Sequence, residues 1–123
     1  MKLLESGEMY LETILVLSKE KPHVHAVDVA DYMGFSKPSV SRGIARLKAD
    51  GYVTVKEGCN CLYLTEKGKA VAERIYERHT VITELLTRVG VSPETAAADA
   101  CKIEHDLSDE TFAFLKQHAA KLQ

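Results

Sequence analysis

Residues 35–65 read "FSKPSVSRGIARLKADGYVTVKEGCNCLYLT". Ser36 is a good helix N-cap, and Pro38 fits a first turn, where its missing N–H has no helical partner. Val40, Ile44 and Leu47 share one helical face, and Gly51 ends the helix. Tyr52, Val53, Thr54 and Val55 are all aromatic or β-branched, "EGCN" supplies turn residues, and a second strand follows at about residues 61–64. The stretch predicts a helix followed by a two-stranded hairpin.

Upstream, residues 7–19 form a predicted helix with Tyr10, Leu11, Ile14, Leu15 and Leu17 as a broad apolar face. "AVDVADYMG" is a short helix with Val27, Val29, Ala30 and Met33 inward and Gly34 as its stop. The connection "GFS" is short and contains glycine, as helix-turn-helix turns often do. Downstream, Thr65 caps a long helix over about 66–88, with Val71, Ile75, Ile82, Leu85 or Leu86, and Val89 on its stripe. Gly90 stops it, Ser92 caps and Pro93 starts a fifth helix over about 93–105. Ser108, with Asp109 and Glu110, opens a sixth, whose stripe is Phe112, Leu115, Ala119 and Leu122. The expected fold is mainly α: an N-terminal winged helix-turn-helix (three helices plus a two-stranded wing) over residues 1–71, then an all-helical dimerisation domain over 72–123.

The chain has 123 residues, 46% of them hydrophobic, and a net charge of −2. No apolar run approaches the ~20 residues of a membrane span, and "MKLLESGEMYLETILVLS" lacks the form of a signal peptide. A cytoplasmic protein with no membrane partner is expected. Three cysteines without a secretion signal argue against a disulfide framework. Charge is unevenly placed: Lys37, Arg42, Arg46, Lys48 and Lys56 stand against Asp50 alone in residues 36–56, whereas residues 92–110 are acidic.

The third helix exposes Lys37, Ser39, Ser41, Arg42, Arg46 and Lys48. Its N-terminal half, from Ser36 and Pro38 onward, offers hydroxyls and one arginine to a major groove. Arginine reads guanine bidentately, and serine contacts bases or phosphates. Lys37 and Lys56 are phosphate contacts that position without specifying sequence. Double-stranded DNA is the expected partner.

A second constellation lies in "DACKIEHDLSDE", residues 99–110. On a helix, Cys101, Glu104 and His105 fall at i, i+3 and i+4, on one face. Met9 and Glu12 are at i, i+3 on helix one, beside its apolar stripe, and His79 lies on the stripe of the long helix between Ile75 and Ile82. Six ligand-capable side chains thus come from three helices.

These motifs together resemble the diphtheria-toxin-repressor / manganese-transport-regulator (DtxR/MntR) family of metal-dependent transcriptional repressors. "EMYLETI" resembles the family's opening helix, "GFSKPSVSRGIARLKADGYV" its recognition helix, "LTEKGKAVAERIYERH" its connecting helix and "ACKIEHDLSDE" its metal helix. The resemblance implies that Met9, Cys101, Glu104 and His105 match the regulatory site of iron-type members. Glu12 and His79 match positions that manganese-type members use with Glu104 and His105. The ancillary site of iron-type members is incomplete, because two of its positions read Thr83 and Ala97. The family's SH3-like third domain is expected to be absent, as in the short, manganese-type architecture.

Ligand softness favours iron(II) over manganese(II), since a thioether and a thiol suit manganese poorly; zinc(II) and cobalt(II) are expected to bind in vitro. The alanine run "TAAADA" and the apolar stripe of helix six favour a homodimer built from the C-terminal helices. The implied function is a metal-responsive repressor that binds a palindromic operator as a dimer and controls metal-uptake genes.

An enzyme using Cys101 and His105 is disfavoured, because no oxyanion-hole loop or Gly-rich substrate turn accompanies them. The alternative is a thiol-redox-responsive winged-helix regulator working through Cys59 and Cys61. "CNC" has no second pair to make a zinc pattern, and two ordinary exposed thiols are expected there.

Overall fold

The computed structural model describes residues 5–121. The elements run α1 (Glu5–Glu20), α2 (Ala26–Met33), α3 (Lys37–Ala49), β1 (Val53–Lys56), β2 (Cys61–Leu64), α4 (Glu66–Arg88), α5 (Pro93–Ile103) and α6 (Asp109–Lys121). Two compact units divide within α4, between Glu73 and Arg74.

The first unit is a winged helix-turn-helix. Tyr10, Leu11, Ile14 and Leu17 of α1 enter one core with Val29 and Ala30 of α2 and Val40, Ile44 and Leu47 of α3. Val53, Leu62 and Ala72 close it from the hairpin and from the start of α4. Gly34 takes the left-handed conformation that stops α2, at φ 71°, which costs a residue without a Cβ little. Ser36 caps α3, its hydroxyl accepting from Ser39 N, and proline sits in the first turn.

The wing is antiparallel, with Val53 opposite Leu64 and Lys56 opposite Cys61. Leu62 N also donates to Val24 O at 2.7 Å, so residues 23–25 lie along the outer edge of β2. Two close approaches explain glycines. A Cβ on Gly43 would run into the Tyr10 ring, and one on Gly68 would strike the Tyr52 carbonyl.

The second unit holds the remainder of α4 with α5 and α6. Ile75 and Ile82 of α4, Ala96 and Ala100 of α5, and Phe112 and Ala119 of α6 are buried. Ser92 caps α5 through Thr95 N, and Ser108 does the same for α6 through Thr111 N.

Several expectations are corrected. Val27 is exposed on α2, where Val29 and Ala30 alone are fully buried: a helix of 8 residues has room for one narrow inward stripe. Val89 lies beyond the end of α4 and is 75% exposed. Helix α5 ends at Ile103, with Glu104 as its C-cap and His105 in the turn that follows. Leu122, expected on the α6 stripe, falls outside the described residues.

Candidate metal centre

Helix α4 carries His79, α5 carries Cys101, and Glu104 is the C-cap of α5. Their ligand atoms all lie within 4.8 Å of one another. Nitrogen, oxygen and sulfur donors bound at about 2.0–2.3 Å stand about 3 Å apart when adjacent and about 4.4 Å apart when opposite. The observed spread, at most 4.8 Å, is within a few tenths of an ångström of what three donors to one ion require. His79 Nδ1 is 3.0 Å from Glu104 Oε2. His105 Nε2 is 3.4 Å from Glu104 Oε1. The turn after α5 brings His105 to Glu104 although it is no longer helical.

Glu104 is the decisive residue. It is completely buried, and Oε1 makes no hydrogen bond among the described residues. A buried carboxylate needs a counter-charge or a full set of donors, because burying it bare is very costly. His79 bonds Oε2, while His105 approaches Oε1 at 3.4 Å without a hydrogen bond, and a cation held jointly with His79 and Cys101 satisfies the carboxylate. Cys101 is exposed, so the donor cluster is reachable from solvent on that side. The residues present fit a divalent transition metal.

Arg78 was missed in the sequence. Its side chain is only 5% exposed and donates to Leu107 O at 2.6 Å, to Glu104 O at 3.3 Å and to Asp109 Oδ1 at 2.5 Å. The guanidinium also lies over the Phe112 ring, 5.3 Å from its centroid. It ties α4 to the turn between α5 and α6 and thereby holds the backbone of Glu104 in place. The available signal was spacing: Arg78 sits at i+3 from Ile75, inside the stripe. His79, expected on that stripe, is one position off it, half-buried at the edge where a ligand belongs.

Met9 and Glu12 are half-buried on α1, within the first unit. The first unit also presents the predicted DNA-contacting residues. Ser36, Lys37, Pro38, Ser41, Arg42, Arg46 and Lys56 are exposed, and Ser39 is half-buried. Arg42 Nη2 donates to Ser39 Oγ at 3.4 Å and Ser36 Oγ donates to the same atom at 2.9 Å. The start of α3 is thus a connected polar surface. In the wing, Cys61 is not the exposed thiol expected. It is 1% exposed, because residues 24 and 25 cover the edge of β2, and it is paired with Cys59.

Among the described residues no helix is long and apolar enough to cross a membrane. The family description "Iron dependent repressor, N-terminal DNA binding domain" matches residues 2–58, and "Iron dependent repressor, metal binding and dimerisation domain" matches residues 65–123. The transcriptional regulator MntR of Escherichia coli O6:H1 is 34% identical over 116 residues, covering 91% of this chain and 74% of its own. The iron-dependent repressor IdeR of Mycobacterium bovis is 36% identical over 110 residues, covering 89% of this chain and 47% of its own. The solved structure of the manganese regulator SloR superposes with a TM-score of 0.80 at 26% identity, covering 91% of this chain and 52% of its own. These relatives are transcription regulators and not enzymes, and the thiol-redox alternative finds no support among them. The chain belongs to the DtxR/MntR family of metal-dependent transcriptional repressors.

Proposed function

We propose that this chain represses transcription as a homodimer on a palindromic operator when loaded with iron(II), with manganese(II) the next-best activator, and that it controls metal-uptake genes. The observation that carries the reading is the buried Glu104 carboxylate, with one oxygen bonded to His79 and the other, 3.4 Å from His105, making no hydrogen bond among the described residues. The proposed ligand set is His79, Cys101, Glu104 and His105, extended on ligand chemistry by Met9 and Glu12 of α1. A soft sulfur pair beside carboxylates and imidazoles favours iron(II) over manganese(II).

With Met9 and Glu12 among its ligands, a bound metal would be a cross-link drawing on α1 as well as on the C-terminal helices. In a symmetric dimer such a link sets the separation of the two α3 helices, which must be about 34 Å or a multiple to enter successive major grooves. Magnitude favours two such links. Moving an equilibrium from 1:99 to 99:1 takes about 5.5 kcal/mol, and one site held at ~100 times its dissociation constant contributes about 2.7 kcal/mol. One metal per protomer meets the requirement and a single metal per dimer does not. Phe114, 65% exposed on α6, and exposed Ile103 give the C-terminal helices an apolar surface suited to self-association.

Anaerobic calorimetry of the metal-free protein with iron(II) and manganese(II) tests the site. Tighter binding of iron(II), lost in His105→Ala and Cys101→Ala while the helical circular-dichroism signal persists, supports the assignment. Undiminished binding in both variants refutes it.

A further inference from the structure

The motif "CNC" at the wing has no second cysteine pair nearby in sequence, but the fold supplies another donor. The bridge between Val24 and Leu62 carries His25 against the start of β2. There His25 Nε2 lies 3.7 Å from Cys61 Sγ and 3.1 Å from the Cys59 carbonyl oxygen. The opposite ring nitrogen, Nδ1, faces Asp28 Oδ2 at 3.6 Å, and the same carboxylate accepts from His25 N at 2.8 Å. Lys21 Nζ lies 2.9 Å from Asp28 Oδ1 and anchors that carboxylate. A carboxylate behind one nitrogen of an imidazole, with the other turned toward a ligand position, is the arrangement that orients histidines in metal sites. His25 is half-exposed, so the cluster is open to solvent.

We infer that Cys59, Cys61 and His25 form a second cation site, at the wing, selective for a thiophilic d10 ion, zinc(II) or copper(I). It is separate from the His79–Cys101–Glu104 cluster and made entirely of first-unit residues. Two thiolates and an imidazole select such soft ions over manganese(II). Cys59 and Cys61 are joined as a disulfide in the structure, so loading requires reduction. Two molecules of a low-molecular-weight thiol deliver two electrons and two protons: the Sγ–Sγ bond breaks, Cys59 and Cys61 become thiols, and the reductant leaves as its own disulfide. Each thiol then releases its proton as its sulfur donates an electron pair to the cation.

The test uses the full chain, thiol-reduced and anaerobic, with Cys101→Ala removing the third thiol. Cobalt(II) serves as a spectroscopic probe, and zinc(II) and copper(I) are titrated against chromophoric chelators. The expected result is a thiolate-to-cobalt charge-transfer band and tight binding of zinc(II) or copper(I). The band and one equivalent of bound zinc(II) or copper(I) should be lost when Cys59→Ser is added, a change at an exposed position that leaves buried Cys61 intact. His25→Ala should weaken binding at least tenfold. Asp28→Asn, which removes the carboxylate charge behind the His25 ring, should weaken it by about tenfold. The ion held more tightly identifies the ligand. Absence of the band, or its persistence at full intensity with Cys59→Ser, overturns the inference.

Discussion

His79 and Glu104 stand 25 residues apart in sequence and meet at 3.0 Å, Nδ1 to Oε2, where α4 passes the end of α5. The imidazole is half-buried and the carboxylate is wholly buried, so the pair has one face toward protein and one toward an incoming ion. Glu104→Gln keeps the shape and removes the charge. It should lower metal affinity by more than tenfold, on the order of 1.4 kcal/mol or more. Because it also relieves a buried carboxylate, it should leave the metal-free protein as stable or more stable. Calorimetric titration paired with thermal unfolding checks both halves.

Arg78 is the structural support of that site. Replacing it with methionine leaves the carbonyls of Glu104 and Leu107 without their shared donor. Arg78→Met should cost about 2–3 kcal/mol of stability, measured by urea unfolding. Asp109→Asn should cost no more than about 1 kcal/mol, because that carboxylate is 84% exposed and its ion pair is screened by water. Equal costs would show that the ion pair, and not the carbonyl contacts, holds the turn.

Gly43 is required by packing. A methyl there overlaps the Tyr10 ring, which is held in the core and edge-on to Phe35 at 6.1 Å between centroids. Gly43→Ala should destabilise by about 1–3 kcal/mol. In a Tyr10→Ala background the same change should cost much less, a coupling that a double-mutant cycle measures directly.

The helix boundaries were legible because they rest on local chemistry. Ser36 with Pro38, Ser92 with Pro93, and Ser108 each act within one turn of chain, and each cap is present. The hairpin was legible for the same reason, since its β-branched strand and "EGCN" turn need no distant partner. What escaped depends on contacts far apart in sequence. Arg78 reads as a surface arginine until the carbonyls of residues 104 and 107 are seen to lie beside it. Cys61 reads as an exposed thiol until Val24 pairs with Leu62 across 38 residues and brings His25 over it. Within the metal cluster, the i, i+3 spacing of Cys101 and Glu104 was visible, but the bond from His79 was not.

Arg42 and Lys56 are both exposed cations of the first unit and should behave differently. Arg42, near the start of α3, should contribute to base readout, so Arg42→Ala should lose about 1–3 kcal/mol on operator DNA and little on random sequence. Lys56→Ala, on the wing, should weaken both alike and reduce the salt slope by about one unit. Binding measured on both DNAs across a salt series separates the two roles.

Metal activation of DNA binding is tested most directly by titrating anaerobic, metal-free protein with iron(II), manganese(II) or zinc(II) and following its binding to the DNA upstream of its own gene. The account predicts that iron(II) at micromolar levels switches on specific binding, with manganese(II) weaker, and that Glu104→Gln abolishes the response. Specific binding of equal strength with and without every metal would contradict it.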